Sequence, residues 1–567
     1  MAKKKRVRVK NVFLLLVLIV VLIGGIFYAG KYILTRTIGI IIEKSVDAYI
    51  GSTTPDVQLY NIDYTEADKI IRGTKIILYD KDVIKEVDDE EPVTYKKIKY
   101  NKETYLINPG SVVNTYEEAV METKKYVRTN ITVYVDSEKV DIKGSLKKGV
   151  MLDIIGFDKL NKDGTVNMYK IKSGDIEGYA YSKYLVDTLE LANANYDQDG
   201  IYKIHAGRGD NLGGGSAADL DYYPNEKPKI EENEMPTYAK AIYMNAGVVG
   251  NVDAYIQFAK KYGVNAIVVD IKEDTVPGYP SKVMQEYSPT AYGRAANSWD
   301  NYKNAIGKIK DAGIYAIGRI VTFKDSYYIT DHPEAAIIST STGKPYLHNG
   351  SYWPSAFVRN VWEYNVKLAI EAVREMGFNE IQFDYMRFPD RTNSIEKQGL
   401  VNMKNTYGES KAQALQNFLM YACDEIHKAG AYVSVDVFGE TSNTYVTAYG
   451  QYWPAISNVI DAISAMPYPD HFDAGQFGLP TPWTQPYTLM KLWATQAAGR
   501  QTEIPTPAIA RTWIQAYNAI KPPYNEYGPS QISDQIKGLV DGGLTGGFIT
   551  WNSGSNLDKY NSIATGW

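Results

Sequence analysis

One cysteine, Cys423, stands among the 567 residues, so an intrachain disulfide and a cysteine-built zinc cage are excluded. Histidine is scarce too. The five, at 205, 332, 348, 427 and 471, form neither His-x-His nor HExxH, which leaves first-row metal chemistry poorly served. No Gly-rich phosphate turn follows any strand-like run, which argues against a doubly wound dinucleotide fold. Tryptophan is missing before residue 299, while all nine lie between Trp299 and Trp567; two unlike portions are joined.

The first ten residues lack acid and residues 12–30 lack charge of either sign. "MAKKKRVRVK" carries six positive charges, and "VFLLLVLIVVLIGGIFYAG" follows it. A run of this length spans the hydrocarbon layer as a helix. The basic flank stays inside, so the chain beyond Lys31 is expected outside the cell membrane as a single-pass protein. An uncleaved signal anchor over 11–34 fits better than a cleaved signal peptide, because no small-x-small cleavage pattern follows.

The chain as a whole has the composition of folded protein, 44% apolar and 22% charged. The net charge of −5 hides a split: without the six tail cations, 55 basic residues face 66 acidic ones. An acidic exported portion speaks against a nucleic-acid partner.

Residues 35–66 read as a stalk. From 67 to 188 apolar residues alternate with polar ones, as in "TKIILYD", "ITVYVD" and "VNMYKIK", with turns at "KDGT" and "SGD", the pattern of small β-domains. A loose repeat shows: "YLINPGSVV" closes one unit and "YAYSKYLV" a second. The second phrase, a Gly-aromatic-small strand followed by S-x-Y-L, resembles bacterial SH3-type domains. This places one at 123–188 and a degenerate copy at 67–122. Residues 189–236 are polar, Gly-rich and acidic, a linker or a surface-laid segment. Within it "NYDQDG" begins like a calcium loop, but Ala206 stands where the bidentate Glu is needed, so a solvated turn is expected there and no cofactor.

From 237 to 567 strand-like runs alternate with amphipathic stretches, several ending in Gly (Gly263, Gly313, Gly377, Gly430). Eight such runs over about 330 residues match the size of a (β/α)8 TIM barrel. The expected fold is therefore α/β: a TIM barrel preceded by one or two small all-β SH3-like domains and a transmembrane helix.

Most of these runs begin apolar and gain polar residues at their C-terminal ends: Asp270 and Glu273, Arg319, Asp384 and Arg387, Asp436 and Glu440, Tyr468 and His471, Arg511, Trp551 and Asn552. In a barrel those ends converge on the rim that carries catalysis. Asp384 in "EIQFDYMRFPD" and Asp436 in "SVDVFGE" share an apolar-acid-apolar setting on adjacent strands, which turns both acids into the lumen. Two carboxylates there suit glycoside hydrolysis: one ionised, one protonated to serve the leaving oxygen. Asp384, with Arg387 three residues on, is the better ionised partner. Asp436, or Glu440 after it, would be the acid/base. Asp270, Arg319, Arg387, Tyr468, Trp551 and Asn552 are candidates to touch substrate, with Trp353, Trp453 and Trp483 as further stacking surfaces. Each has a plainer reading as cap, charge neutraliser or wall.

"VVDIKED", "IGRIVTFKD", "FDYMRFP" and "VDVFGE" resemble a bacterial family of glycoside hydrolase-like barrels, distantly related to the α-amylase-type barrels of glycoside hydrolase family 13. The resemblance implies a nucleophilic Asp at strand four, hence Asp384. Departures stand beside it. The amylase-type arginine two residues before that Asp is here Gln382, and the strand-five Glu is here Asp436 or Glu440.

The sequence thus points to a membrane-anchored, outward-facing O-glycoside hydrolase acting on a cell-envelope or external polysaccharide. Its SH3-like domains would grip the wall. The rivals are a non-catalytic polysaccharide-binding protein on an inactive barrel and a metal-dependent hydrolase or deacetylase.

Overall fold

The computed structural model describes residues 22, 23, 25 and 43–567, apart from 53, 55, 88–90 and 121–123. The basic tail and nearly all of the anchor expected over 11–34 lie outside them. Among the described residues no helix is long and apolar enough to cross a membrane. The chain forms two compact units, one of residues up to 122 with 156–167, the other of 123–155 with 168–567.

The first unit starts earlier than the stalk reading allows. Ser45–Ile50 and Asp56–Tyr60 are already strands of an antiparallel sheet. Its spatial order is 66–71, 56–60, 103–107, 93–100, 75–85, 45–50, 112–113. Ala48, Ile50, Leu59, Ile70, Ile76, Ile98 and Ile107 form its core. Short alternating runs bury one side chain in two, which is why they read as strands. The next sheet runs 142–146, 131–134, 176–181, 168–173, 151–157, 124–127, 185–186. Numbered within each set, the two orders are the same (3-2-6-5-4-1-7). The loose repeat in the sequence is a repeat of topology.

In the second unit this β-module is fixed to two barrel helices, Arg359–Glu371 and Lys411–Lys428. Tyr181 and Tyr184 donate to Glu425 and Asp424, each at 3.0 Å. Arg359 Nε donates to Ser145 Oγ at 2.8 Å and Lys367 Nζ to Asp141 at 2.7 Å.

The segment over 189–236, read as a linker or a surface-laid stretch, lies on the barrel as a strap. Arg208 forms a fork with Glu503 (2.7 and 2.8 Å). His205 bonds the Tyr452 hydroxyl and the Glu503 carbonyl and stacks on Tyr222 at 3.9 Å. Asn225 and Asn233 donate to the carbonyls of Val459 and Asn379, each at 2.7 Å. A Cβ on Gly214 would meet the Thr447 carbonyl at 1.9 Å, so only glycine permits that approach. The polar composition that reads as solvated serves instead to satisfy barrel backbone groups.

Nine parallel strands follow: β1 (Ala239–Met244), β2 (Ala266–Lys272), β3 (Tyr315–Val321), β4 (Glu380–Asp384), β5 (Tyr432–Phe438), β6 (Ala462–Met466), β7 (Ile509–Ala510), β8 (Thr512–Gln515) and β9 (Gly547–Trp551). Their order is β7-β6-β5-β4-β3-β2-β1-β9-β8. Arg511 alone separates β7 from β8, so the ends of the row are consecutive in the chain and the sheet returns on itself as a nearly closed barrel. β2, β3 and β4 are buried throughout, as parallel strands covered on both faces must be.

Helices cover the outside. Ser410 and Gln413 close a capping box on Lys411–Lys428, and Gly263, Gly313, Gly377 and Gly430 all take positive φ, 68° to 92°. Phe383 turns outward from β4 onto Phe418 of that capped helix, ring centroids 5.2 Å apart, and Phe418 also meets Phe323 and Trp362. With Phe383 held outside, the period of two sends Asp384 inward.

Candidate active site

The lumen is filled in levels. At the bottom Arg511 Nη1 pairs with Glu380 Oε2 at 2.7 Å, both wholly enclosed, and Tyr315 donates to the same oxygen at 3.1 Å. Arg511 therefore stays below the rim where its place after a strand had suggested it. In the middle Gln382 Nε2 donates to Ser464 Oγ at 3.2 Å; Ala241, Val268 and Ile317 belong to the core cluster that fills the ring.

The top level gathers the charged side chains. β2 and β3 pair Asp270 with Arg319, and β3 and β4 pair Val321 with Asp384. β5 carries Asp436 opposite Ser464 of β6. Arg319 is the hub. Its Nη2 and Nε reach Asp384 Oδ2 at 2.6 and 3.1 Å, and its Nη1 reaches Asp270 Oδ1 at 2.7 Å and Glu273 Oε2 at 2.8 Å. Asp436 Oδ2 lies 3.9 Å from its Nε. Asp384 and Asp436 thus meet around one guanidinium. The other Asp384 oxygen accepts the Tyr385 amide at 2.6 Å, and Tyr385 takes φ 48° to make that turn. Tyr243 donates to Asp270, and Trp513 Nε1 donates to Asp436 Oδ1 at 2.7 Å.

Around this one cation Asp270, Glu273 and Asp436 shift in different directions. Burial, and after it the charge of Asp384, pushes the Asp436 carboxyl well above the usual range. Its Oδ2 has no hydrogen-bond partner and the residue is 1% exposed. Burial pushes Asp270 up to about 6, with Arg319 opposing and the Glu273 charge adding to it. Glu273 goes the other way. Burial alone would raise it, but the Arg319 charge and hydrogen bond hold it below the usual range. With 30% of its side chain exposed, Glu273 is the most open acid on the hub, against 8% for Asp384.

Arg387 does not neutralise Asp384. Its guanidinium lies among the rings of Phe438, Tyr385 and Trp353, 4.4 to 5.1 Å from their centroids, and Asp390 is its acid neighbour at 3.7 Å. The cation beside Asp384 comes from the adjoining strand. Glu440 is exposed in the turn after β5, accepting the hydroxyls of Tyr449 (2.7 Å) and Tyr445 (3.1 Å). A cavity of about 750 Å³ opens at the ends of β5 and β6, lined by Phe438, Glu440, Tyr445, His471, Phe472 and Phe477 among others.

The aromatic candidates divide. Trp551 is half-buried beside Tyr243 at 4.6 Å and Trp513 at 5.4 Å, so part of its face is open. Tyr468, Trp353, Trp453 and Trp483 are buried and form walls. Trp453 bonds Gln501 and Trp483 bonds the Pro523 carbonyl. Asn552 staples its loop, donating to Ala516 and accepting from Asn556. Sequence reasoning missed Tyr243, Trp513 and Glu380; each shares the inward parity of its strand, the signal that could have found it.

Residues 241–557 match the DUF4015 family, described as "Putative glycosyl hydrolase domain". Among solved structures, a hypothetical protein from Ruminiclostridium thermocellum is 32% identical over 35% of this chain and 97% of its own, with a TM-score of 0.29. The PgaB (BpsB) glycoside hydrolase domain from Bordetella bronchiseptica is 13% identical over 58% of this chain and 98% of its own, with a TM-score of 0.42. Flavobacterium johnsoniae chitobiase (FjGH20) is 11% identical over 58% and 48%, at 0.40. No curated protein matches.

Proposed function

The chain belongs to the glycosyl hydrolase-like family that its barrel matches, and from that premise we propose that it cleaves O-glycosidic bonds of a polysaccharide with two carboxyl groups. The observation that carries this is the gathering of acids around Arg319: Asp384 clamped by two guanidinium nitrogens, with the Asp436 carboxyl on the next strand pushed well above the usual range by burial and by the Asp384 charge. A clamped carboxylate at the end of β4 and a second, exposed acid in the turn after β5, Glu440, are the two carboxyl groups that acid/base division of labour needs.

Asp384 acts in its ionised form, as nucleophile or as stabiliser of oxocarbenium charge. A general acid must come within hydrogen-bond reach of the leaving oxygen. Asp436, 1% exposed, does not meet substrate there, whereas Glu440 faces the cavity. Glu440 is therefore assigned the acid/base role, with Asp436 positioning Arg319 and Trp513. Trp551 offers its open face to a sugar ring.

The eight-position (β/α)8 reading, with β7 and β8 as one strand kinked at Arg511, puts these groups on the rim where the fold places catalysis. The basic tail and apolar run support anchorage through 11–34 with the bulk outside, and the two like β-modules support the SH3-like reading with wall attachment. The low exposure of Asp384 and Asp436 favours the second reading, a binding protein on an inactive barrel. The purified full chain is to be incubated with cell-wall and exopolysaccharide fractions and assayed for new reducing ends. Release from at least one fraction supports the enzyme; binding without release supports the alternative.

A further inference from the structure

Resting on the glycosidase reading, we infer that Arg387 is a carboxylate-recognition element and that the substrate is an acidic polysaccharide whose sugar acid it binds.

A buried guanidinium without a counter-charge is costly. The other buried arginines of this unit have paired theirs. Arg128, Arg319, Arg359 and Arg511 each lie 2.6–2.7 Å from a carboxylate oxygen. Arg387 is 6% exposed and its nearest carboxylate, on the half-exposed Asp390, stands off at 3.7 Å. One nitrogen, Nη1, is used on the Phe388 carbonyl at 3.1 Å. Nε and Nη2 make no hydrogen bond among the described residues. Those two N–H groups share one edge of the plane, the edge that receives a carboxylate as a fork.

The surroundings hold that edge in place. Phe438, Tyr385 and Trp353 surround the guanidinium, with Tyr449 further out at 5.9 Å. Phe438 also lines the 750 Å³ cavity, and Tyr449 bonds Glu440. Tyr385 directly follows Asp384. The rings around Arg387 thus connect it to both features: Tyr385 adjoins the clamped acid in the chain, and Phe438 is part of the cavity wall. A planar monoanion suits it better than a phosphate, whose second charge would face Asp384 and Asp390. Burial lowers the arginine's hold on its proton, and an incoming carboxylate relieves that strain.

The test reads binding, not turnover. The full chain is titrated by calorimetry with glucuronate, galacturonate and N-acetylmuramate, each against its methyl ester. At least one acid is expected to bind roughly tenfold more tightly than its ester, and Arg387→Met to bring the two level. Arg387→Lys keeps a charge without the fork and is expected to lose most of the preference; it also serves should the Met variant fail to fold. Equal binding of acids and esters, or a preference that survives both substitutions, overturns the inference. Asp384→Asn is expected to keep the preference, so a failed cleavage assay and a failed binding assay are separate results.

Discussion

Arg319 holds Asp384 by two nitrogens on one oxygen, Nη2 at 2.6 Å and Nε at 3.1 Å from Oδ2. The same guanidinium bonds Asp270 and Glu273 through its remaining nitrogen. A single cation thus fixes three carboxylates from two chain segments, the end of β2 and the end of β4. Its removal strands buried charge and releases the proposed nucleophile in one step.

Arg319→Lys is accordingly expected to cost about 3–5 kcal/mol of stability and to abolish cleavage, because one ammonium cannot span the three acids. Urea denaturation together with the reducing-end assay checks both. Stability unchanged within about 1 kcal/mol would contradict the hub.

Asp436 and Glu440 separate by substitution. Asp436→Asn replaces a carboxyl whose pKa burial raises with a neutral isostere, and turnover is expected to stay within about tenfold with an altered alkaline limb of the pH profile. Glu440→Gln is expected to lower turnover by about 10²–10⁴ and to be rescued on substrates with good leaving groups. The reverse ranking would move the acid role to Asp436.

The strap responds to acid. Burial depresses the His205 imidazole to about 4, the Glu503 carbonyl offsetting only part of it. A depressed folded value contributes stability above the ordinary 6.5 and loses it as pH falls toward 4. The contribution is on the order of 3 kcal/mol. Limited proteolysis of the full chain should show 195–236 cut faster at pH 4.5 than at pH 7, and His205→Phe should flatten that difference.

Much of the barrel was legible in the sequence. "NAIVVDIKE" and "EIQFDYMRF" are short apolar runs between amphipathic stretches, and the period of two alone turns Asp384 and Asp436 to the same side. Register between strands was not legible, so the cation of Asp384 was sought three residues along the chain at Arg387, not across the sheet at Arg319. Glu380 and Arg511 lie 131 positions apart, and nothing local marks their pairing. Which of the two readings of 189–236 applies was not legible for a related reason: composition records that Arg208, Asn225 and Asn233 are polar, but not that barrel carbonyls and Glu503 receive them.

The buried pair at the barrel floor gives a prediction of its own. Glu380→Gln and Arg511→Met should each cost about 3–5 kcal/mol, while the double change costs less than their sum because no charge is left alone. A double-mutant cycle by chemical denaturation measures the difference, and strict additivity would contradict the pairing.

The decisive measurement is the reducing-end assay run on the wild-type chain and on Asp384→Asn side by side, with thermal unfolding of both. The account predicts release by the wild type, a fall of about 10³-fold or more in the variant, and a variant that still unfolds cooperatively, at a lower temperature because Arg319 loses a buried partner. A correctly folded Asp384→Asn chain that still cleaves the polysaccharide at the wild-type rate would contradict it.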